Sequence, residues 1–354
     1  MKHFRRIGVL TSGGDAPGMN AAIRAVARTA LSHGVEVMGI YSGYEGLING
    51  EVRQFGIRDV SNIVNHGGTL LYSARSPRFK TEEGMQAAIE TCRRYNIDGI
   101  VAIGGDGTFR GATDLTARGI SCIGLPGTID NDITATDYTI GFDTAMNTAI
   151  EMIDRLRDTC ESHMRCSVVE VMGRDAGDIA LQTGIAVGAT TAIVPEIPCD
   201  IKALIGKMKQ SRALGKRNFI IVVAEGMGGE FSKNLTHRIE QETEIESRFA
   251  RLAHVIRGGI PSLRDRLLAT RMGEFAVEEL LEGRSNEVIC DVNNEICAID
   301  IDYALVLDRM YKNKLQEGDL DRFSKEQVAE MQAVCARRRA NIESLYETVN
   351  RLGL

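Results

Sequence analysis

Short apolar runs alternate with amphipathic stretches along most of this 354-residue chain. The runs are rich in Val, Ile and Ala, which is typical of strands buried on both faces of a sheet. They cover residues 7–11, 35–41, 99–103, 121–125, 167–172, 192–195 and 219–224. Helical periodicity is found at 20–32, 81–95, 107–118 and 144–159. This alternation predicts parallel sheets with helices on both sides.

The alternation restarts after residue 159, which predicts a second α/β unit. A chain of 354 residues is long enough for two domains of ordinary size. We therefore expect an α/β protein with two similar three-layer α/β domains and mainly parallel sheets. Ligands of such sheets bind beyond the carboxyl ends of the strands, so the segments that follow strands are where chemistry is expected.

The composition of the chain argues against several classes of partner. The net charge is −6, so no basic field argues for nucleic acid or a membrane surface as a partner. No apolar run approaches the roughly 18 residues that a membrane span requires. The eight cysteines contain no CxxC pair, which favours reduced thiols. We expect a cytoplasmic protein with no nucleic-acid or membrane partner.

The chain changes character from residue 324 onward. Apolar residues recur there at helical spacing, interrupted by Arg338. They are Val328, Met331, Cys335, Ile342, Leu345, Val349 and Leu352. The spacing predicts a terminal helix that packs on its own subunit, because such stripes are usually core. A helix that contacts another subunit is the alternative.

Two glycine-rich segments each follow a predicted strand. The first glycine turn, residues 12–18, reads SGGDAPG, and the second glycine turn, residues 104–108, reads GGDGT. Glycines let backbone N–H groups approach phosphate closely, and the start of the following helix favours negative charge. Asp106 can ligate magnesium on a polyphosphate. Arg75, in the segment YSARS, can screen charge on the same phosphates.

A third segment follows the predicted strand 121–125. We call residues 126–132, PGTIDND, the acceptor loop. Asp130 and Asp132 are so close that each should raise the pKa of the other unless a cation intervenes. This pair suits one base for an acceptor hydroxyl and one carboxylate that holds a metal or orients a cation. A simple aspartate-capped turn is the alternative if the loop is taken alone.

Several arginines occur in surroundings where simple solvation is a poor explanation, and two of them, Arg165 and Arg174, flank a predicted strand. These arginines are Arg165, Arg174, Arg248, Arg251 and Arg257, the last three of which surround His254. One phosphate on the donor and another on the acceptor would explain so many cations. Glycine turns, paired carboxylates and arginines together predict phosphoryl transfer, which requires little covalent chemistry and much positive charge.

The chain resembles ATP-dependent 6-phosphofructokinases of the bacterial type from about residue 7 to about residue 320. The matching segments are 8–20, 103–108, 126–132, 167–174, 224–226 and 257–259. GGDGT alone is not specific, since NAD kinases and lipid kinases also carry it, but they lack PGTIDND. The resemblance implies a glycolytic kinase that converts fructose 6-phosphate and Mg-ATP to fructose 1,6-bisphosphate and ADP.

The resemblance also implies a role for each matching residue. Asp130 would take the proton from the sugar 1-hydroxyl, Thr128 and Asp132 would support the transition state, and Arg174 would stabilise the transferring phosphoryl group. Asp106 would bind Mg²⁺, the one cofactor implied. The ATP-binding set would be Gly14, Tyr44, Arg75, Ser76, Gly105, Asp106, Gly107 and Thr108.

Substrate contacts follow from the same resemblance. The sugar would meet Thr128, Ile129, Asp130, Met172, Gly173, Arg174 and Glu225, and its 6-phosphate would meet Arg165, Arg248, His254 and Arg257. In the family, Arg165 and Arg248 come from the neighbouring subunit. The resemblance therefore implies a homotetramer whose substrate sites are shared across subunits.

The expected domain bounds are discontinuous. An ATP-binding α/β domain would comprise residues 1–141 and about 258–305, and a sugar-phosphate-binding α/β domain would comprise 142–257 and about 306–323. The active site is expected in the cleft between them. Residues 324–354 would form a helical C-terminal extension on which the resemblance says nothing.

Two other functions are known for proteins of this kind and are alternatives to an ATP-dependent kinase. Pyrophosphate-dependent relatives typically carry aspartate at the position of Gly107 and lysine at that of Gly127, where a larger side chain obstructs the nucleotide. Glycine at both positions favours ATP. A catalytically silent regulatory paralogue would have lost catalytic carboxylates, whereas Asp106, Asp130 and Asp132 are all present.

The segment 253–259 departs from the family pattern. The family often has Gly-His-(Val or Ile)-Gln-Arg-Gly-Gly, and here glycine is replaced by Ala253 and glutamine by Ile256. Arg251 stands where an apolar residue is usual. Because these changes lie beside the expected 6-phosphate pocket, a larger sugar phosphate, such as a seven-carbon one, stays open as a substrate.

The expected effector site is also altered. Arg24, Arg28, Arg157, Gly188 and Lys216 match the family's allosteric phosphate ligands. Thr190 replaces a glutamate that binds the effector's magnesium, and Leu214 replaces a basic residue. The sequence therefore predicts weak or absent activation by a magnesium nucleotide.

Overall fold

The computed structural model describes residues 4–353. Its strands are β1 (Arg6–Thr11), β2 (Glu36–Ile40), β3 (Val52–Phe55), β4 (Gly99–Gly104), β5 (Ser121–Pro126), β6 (Cys166–Val171), β7 (Thr191–Ile193), β8 (Phe219–Ala224), β9 (Ser247–Arg251), β10 (Glu287–Val292) and β11 (Glu295–Asp300). Its α-helices are α1 (Met19–Ser32), α2 (Gly43–Asn49), α3 (Glu82–Arg94), α4 (Asp106–Thr116), α5 (Phe142–Ser162), α6 (Asp178–Ala186), α7 (Ile201–Ala213), α8 (Phe231–Thr243), α9 (Leu263–Leu281), α10 (Ile301–Tyr311) and α11 (Lys325–Leu352). The predicted α/β class with mainly parallel sheets is confirmed.

The chain divides into two compact units. Unit 1 is Met1–Ile129, Ile133–Thr144 and Arg257–Met331, and unit 2 is Asp130–Asp132, Ala145–Ile256 and Gln332–Leu354. The structure places residues 306–323 in unit 1, whereas the sequence prediction assigned them to the second domain. The physical reason is that α10 packs on α4, β10 and β11 of unit 1.

Unit 1 is built on a seven-stranded sheet with the order β11-β10-β5-β4-β1-β2-β3. The five central strands are parallel, and β3 and β11 pair antiparallel at the two edges. Every residue of β4 and β5 is buried, which explains their continuous apolar sequence. Helices α1 and α9 pack against each other beside this sheet.

The ends of β1, β4 and β5 lie at one edge of this sheet because the three strands are parallel neighbours. Leu10 of β1 is level with Ala102 of β4, which is level with Gly124 of β5. Both glycine turns and the acceptor loop follow these strands directly. The topology therefore brings together three segments that are far apart in the sequence.

Unit 2 is built on a four-stranded parallel sheet with the order β7-β8-β6-β9. Its core includes alternate residues of β8, and α7 and α8 add Met208 and Leu235 to the same cluster. The polar segments after β6 and β8 carry Arg174 and Glu225, two residues of the predicted site.

The C-terminal helix α11 spans 28 residues. Met331, Cys335, Ile342 and Val349 of its predicted stripe are buried within this chain, while Leu352 is exposed. This burial favours the prediction of a helix that packs on its own subunit. The rest of α11 is polar, and no helix within residues 4–353 combines the length and the apolar character that a membrane crossing requires.

Candidate active site

The first glycine turn joins β1 to α1 in unit 1. The amide of Ser12 donates a hydrogen bond of 2.9 Å to the carbonyl of Ile103, which fastens the turn to the end of β4. Gly18 has a φ of +111°, and a Cβ atom there would lie 2.7 Å from Ile140 Cγ2. Only glycine fits at this entry to α1. The positive end of the helix dipole of α1 therefore lies at the turn.

The second glycine turn joins β4 to α4. A Cβ atom at Gly104 would lie 2.3 Å from Thr108 Oγ1 and 2.4 Å from the carbonyl oxygen of Ser12. Thr108 Oγ1 donates a hydrogen bond of 3.2 Å to the same carbonyl, so the two glycine turns are tied together. Cβ atoms at Gly105 and Gly107 would meet nothing within 4 Å. The outer part of this turn therefore has room for a ligand to approach the backbone.

Asp106 is the first residue of α4. One carboxylate oxygen accepts a hydrogen bond of 2.7 Å from the amide of Gly107, and the other lies 3.2 Å from Arg110 Nη2. Magnesium binds through one or two carboxylates and takes its other ligands from water and substrate phosphates. A single accessible carboxylate at a glycine turn fits that donor set. No cluster of three His, Cys, Asp or Glu residues suited to a metal occurs in residues 4–353.

Tyr44 contacts the second glycine turn from the interior of unit 1. Its hydroxyl donates a hydrogen bond of 2.6 Å to the carbonyl of Thr108, and its ring stacks on Phe79 with the centroids 4.1 Å apart. Burial raises the pKa of Tyr44 well above its usual value. Because both the ring and the hydroxyl are engaged, this residue supports the turn rather than presenting a free surface to a nucleotide.

Residues 72–76 lie beside the first glycine turn. Ser73 Oγ donates a hydrogen bond of 2.5 Å to the carbonyl of Gly13, and Thr11 Oγ1 donates one of 2.6 Å to the carbonyl of Tyr72. Ser76 Oγ donates to Glu45 at 2.5 Å, and Arg75 is exposed. The structure therefore brings this predicted loop to the glycine turns.

Arg257 lies against the first glycine turn. Its Nη1 atom is 2.8 Å from the position that a Cβ atom would take at Gly14, and it donates a hydrogen bond of 3.4 Å to the carbonyl of Asp15. A side chain at Gly14 would displace this guanidinium group. The sequence predicted both residues as phosphate ligands without predicting that they touch.

In unit 2, a single arginine lies between the two carboxylates of the acceptor loop. Arg174 Nε is 3.0 Å from Asp130 Oδ2, and Arg174 Nη1 is 3.5 Å from Asp132 Oδ2. The Asp130 side chain is fully buried, whereas that of Arg174 is 46% exposed. The sequence predicts a cation near these two carboxylates, and Arg174 occupies that position.

The turn that carries Arg174 is held by Glu225. Gly173 has a φ of +138° and Arg174 a φ of +51°, so two successive residues have left-handed or related backbone conformations. Glu225 Oε1 accepts hydrogen bonds from the amides of Gly173 at 3.2 Å and of Arg174 at 2.9 Å. Met172 is buried just before the turn. Glu225, predicted as a sugar contact, therefore also fixes the position of Arg174.

The part of the acceptor loop that precedes Asp130 belongs to unit 1. Ile129 is fully buried, and the carbonyl of Thr128 accepts a hydrogen bond of 2.7 Å from Thr139 Oγ1. Within unit 2, Asn131 has a φ of +50°. Asp130 therefore lies between a buried residue and a residue with a left-handed backbone conformation.

Arg165 and Arg248 share one carboxylate in unit 2. Arg165 Nε lies 2.7 Å from Glu246 Oε2, and Arg248 forms an ion pair with the other oxygen of Glu246. The parallel pairing of β6 with β9 places Ser167 opposite Arg248, which brings the two arginines to one end of the sheet. The hydrogen bond from Arg165 lowers the pKa of Glu246, and the charge of Arg248 adds to the effect.

The segment that departs from the family pattern is irregular. Ala253 has a φ of +43°, a conformation that glycine adopts without strain and alanine does not. Ile256 is fully buried and His254 is exposed. Arg251 Nε lies 2.6 Å from Glu170 Oε1, so this unusual arginine neutralises a carboxylate that is 8% exposed on β6.

The predicted effector residues belong to both units. In unit 1, Arg24 and Arg28 lie one turn apart on α1, and burial together with the charge of Arg28 lowers the pKa of Arg24. In unit 2, Arg157 donates a hydrogen bond to the carbonyl of Val187, next to Gly188, which has a φ of +58°. Lys216 Nζ lies 3.1 Å from the carbonyl oxygen of Gly353.

Sequence reasoning missed three buried polar residues that hold the loops of the site. Asn20 Oδ1 accepts a hydrogen bond of 2.6 Å from the amide of Leu70, and Asn20 Nδ2 donates to the carbonyl of Gly67. Asp265 accepts hydrogen bonds from the amide and hydroxyl of Thr144, and burial raises its pKa to about 6. Burial raises the pKa of Asp178 as well, although Arg338 and a hydrogen bond with Asn131 oppose that shift. Nothing in the local sequence distinguishes such residues from surface polar residues.

The sequence matches a known protein family and named bacterial enzymes. A family described as Phosphofructokinase matches residues 6–280. The chain belongs to the phosphofructokinase family. ATP-dependent 6-phosphofructokinase of Bacillus pumilus is 52% identical over 325 residues, which are 91% of this chain and 99% of that protein. ATP-dependent 6-phosphofructokinase 1 of Clostridium perfringens is 53% identical over 314 residues, which are 89% of this chain and 98% of that protein.

Solved structures of the family have the same fold. Phosphofructokinase from Saccharomyces cerevisiae is 34% identical, with a TM-score of 0.83 over 90% of this chain. This chain spans about half the length of the yeast chain, since the match covers 47% of it. Pyrophosphate-dependent phosphofructokinase from Marinobacter aquaeolei is 24% identical, with a TM-score of 0.74 over 84% of this chain and 83% of that chain, and this likeness concerns the fold alone.

Proposed function

We propose that this protein transfers the γ-phosphoryl group of ATP to the 1-hydroxyl of fructose 6-phosphate, a reaction of glycolysis that yields fructose 1,6-bisphosphate and ADP. The observation that carries the proposal is the ion-pair cluster of the acceptor loop, in which Arg174 lies 3.0 Å from Asp130 and 3.5 Å from Asp132. The bacterial relatives named ATP-dependent 6-phosphofructokinase support this donor and acceptor. Such a cluster provides the positioning and charge on which phosphoryl transfer depends.

Asp130 is the base of the proposed reaction. As its carboxylate takes the proton of the sugar 1-hydroxyl, the hydroxyl oxygen forms a bond to the γ-phosphorus. The bond between the γ-phosphorus and the bridging oxygen breaks, and ADP leaves with the electron pair. Asp130 is fully buried and fixed by Arg174 Nε, so its orientation is set before the sugar binds.

Arg174 stabilises the charge that develops on the transferring phosphoryl group. Its side chain is about half exposed, so the guanidinium group can meet a ligand while it contacts both carboxylates. Asp132 orients the guanidinium group, and the hydroxyl of Thr128 supports the same transition state. Ile129, Met172, Gly173 and Glu225 complete the sugar contacts, with Glu225 acting through the Arg174 turn as well.

Magnesium is the proposed cofactor, and Asp106 is the residue that would hold it. When bound, the ion neutralises charge on the β- and γ-phosphates. Gly14, Gly105, Gly107 and Thr108 bring backbone close to those phosphates, since the outer part of the second turn has room for a ligand. Arg75 and Ser76 add a charge and a hydroxyl beside the first turn, and Tyr44 holds the second turn in place.

Glycine at two positions supports ATP over pyrophosphate as the donor. A side chain at Gly107 would extend into open space at the second glycine turn, where it would compete with a nucleotide. A Cβ atom at Gly127 would lie 2.9 Å from Ile103 Cγ2 and 3.1 Å from Met19 Cε, so the lysine of pyrophosphate-dependent relatives requires these core residues to shift. The packing around residue 127 is therefore adapted to glycine, and glycine at residue 107 leaves open space for a nucleotide.

We assign the 6-phosphate of the sugar to Arg165, Arg248, His254 and Arg257. Arg165 and Arg248 would serve the site of a neighbouring subunit in a homotetramer. Glu246 keeps both guanidinium groups at one end of the unit 2 sheet, which is an arrangement suited to a phosphate that arrives from another chain. The residues of the effector site would be Arg24, Arg28, Arg157, Gly188 and Lys216. Because of Thr190 and Leu214, we expect activation by a magnesium nucleotide to be weak or absent.

The test is a donor and acceptor panel with the purified protein. ATP and pyrophosphate are each combined with fructose 6-phosphate and with sedoheptulose 7-phosphate, and the products are identified by phosphorus NMR. We expect turnover with ATP and fructose 6-phosphate, and a native mass of four chains by light scattering. An absence of fructose 1,6-bisphosphate with ATP would contradict the proposal, whether or not pyrophosphate is used.

A further inference from the structure

The end of α11 is bound by two lysines of unit 2. We call residues 350–353 the terminal segment. Lys207 Nζ donates a hydrogen bond of 2.7 Å to the carbonyl of Asn350, and Lys216 Nζ donates one of 3.1 Å to the carbonyl of Gly353. Thr191 Oγ1 donates one of 2.7 Å to Asn350 Oδ1. The segment is therefore held at a defined position rather than only tethered by the helix.

The terminal segment packs closely on residues 189–190, which precede β7. A Cβ atom at Gly353 would lie 2.4 Å from the carbonyl oxygen of Thr190 and 2.5 Å from that of Ala189. Both contacts are with backbone, which cannot move aside cheaply. Thr190 is itself 1% exposed, and its Oγ1 atom has no hydrogen-bond partner within residues 4–353. The segment thus covers a polar site that it does not satisfy.

The site beneath the segment is positively charged. Burial lowers the pKa of Lys207, and burial followed by repulsion from Lys207 and Arg157 lowers that of Lys216. The carbonyl groups at a helix end carry together only about half an elementary charge. A phosphate group carries full charge and accepts charge-assisted hydrogen bonds, which are about twice as strong as neutral ones. Three neighbouring cations therefore suit a phosphate better than they suit carbonyl oxygens.

We propose that the terminal segment is a built-in occupant of an anion-binding site formed by Arg157, Lys207 and Lys216, and that it excludes phosphate-bearing effectors from this site. The inference rests on the proposed effector role of Arg157 and Lys216. The segment competes despite its weaker charge because it belongs to the same chain, so its effective concentration at the site is high. Its removal exposes the cations and creates a phosphate site that is absent from the intact protein.

The test is calorimetric titration with ADP in the presence of magnesium. Gly353→Ala forces the segment off the Thr190 backbone without changing a charge. Gly206→Ala is the matched control, because a Cβ atom there meets nothing within 4 Å. A chain that ends at Val349 removes the whole segment while it keeps the buried Val349. We expect one ADP site per chain in the wild type and in Gly206→Ala, and a second site in the two variants that release the segment.

Adding Lys216→Met to the shortened chain should abolish the second site, which locates it at the cations. Activation by ADP at subsaturating fructose 6-phosphate should appear in the shortened chain and disappear in the Lys216→Met form. A single ADP site in the shortened chain would overturn the inference. Slow hydrogen exchange at the amides around residue 353 in Gly353→Ala would also overturn the inference, because it would show that the segment is not packed closely on the Thr190 backbone. Neither result touches the catalytic proposal, which is judged by product formation alone.

Discussion

The two glycine turns and the acceptor loop differ in the groups that they offer to a substrate. At the turns, the unusual backbone conformations belong to glycines, such as Gly13 at φ +91° and Gly18 at φ +111°. In the acceptor half, formed by the acceptor loop and the irregular segments after β6 and β9, Gly173 shares them with three residues that carry side chains, namely Asn131, Arg174 and Ala253. The donor half, which consists of the two glycine turns, therefore presents backbone groups. The acceptor half presents charged side chains that are held by other side chains.

This difference reflects what each half must do. A nucleotide triphosphate can be recognised by backbone N–H groups, for which glycine gives the closest approach. Proton removal and charge stabilisation require a carboxylate and a guanidinium group at fixed positions. The acceptor half consequently carries backbone strain, which Glu225 offsets by accepting hydrogen bonds from the amides of Gly173 and Arg174.

Apart from the replacement of Asp130 itself, Arg174→Ala should give the largest effect among the variants of the acceptor half. It removes the charge on the transition state and leaves Asp130 and Asp132 without the cation between them, so we expect kcat to fall by roughly 10² to 10³. The kcat of Arg174→Lys should fall less, since the charge remains but one ammonium group cannot contact both carboxylates. Steady-state kinetics check both variants.

Arg155→Ala is the matched control for this prediction, because Arg155 is an exposed arginine of unit 2 whose partner, Glu151, is one helical turn away. It should have wild-type kinetics. A kcat of Arg174→Ala equal to that of the control would show that the acceptor half does not work through side-chain charge.

Gly107→Asp tests the donor half. The new side chain has room to fit, so folding should be unaffected, but a carboxylate at the second glycine turn repels the nucleotide phosphates. We expect the KM for ATP to rise by roughly tenfold or more, which is about 1.4 kcal/mol, with the KM for fructose 6-phosphate unchanged. Gly229→Asp is the control, since its Cβ atom would also meet nothing within 4 Å. An unchanged KM for ATP would remove the second turn from the donor site.

Ala253→Gly should give the smallest effect, and it is a gain in stability. Relief of the strained conformation at φ +43° should raise the free energy of unfolding of unit 2 by about 1 kcal/mol. Ala336→Gly, in the exposed middle of α11, should lower it by about 1 kcal/mol because glycine is a poor helix former. Denaturant unfolding of the two variants measures both, and equal destabilisation by both would show that Ala253 carries no strain.

Much of the fold could be predicted because its central strands have continuous apolar sequences. β4 and β5 are examples, since every residue of each is buried. Two edge strands, β3 and β9, could not be predicted in the same way: β3 has two exposed residues out of four, and β9 begins with Ser247 and Arg248 and ends with Arg251. Their pairing is set by neighbours distant in the sequence, which local periodicity does not record.

Some residues of the site could be predicted from the sequence, and others could not. Glycine turns and paired carboxylates are visible in the sequence, because spacing and residue type alone identify them. The partner of Arg165 and Arg248 could not be predicted, since Glu246 is ordinary in sequence and is defined only by the pairing of β6 with β9. The same holds for Lys207, whose contact with Asn350 joins residues that are 143 positions apart in the sequence.

The most direct test of the account is Asp130→Asn. The amide keeps the size of the buried side chain and cannot take the proton of the sugar hydroxyl. We expect kcat to fall by roughly 10² to 10⁴, the usual contribution of a general base, while calorimetry shows an unchanged dissociation constant for fructose 6-phosphate. Asp158→Asn, an exposed aspartate on α5, is the control and should behave as the wild type. A kcat near that of the wild type in Asp130→Asn would contradict the account.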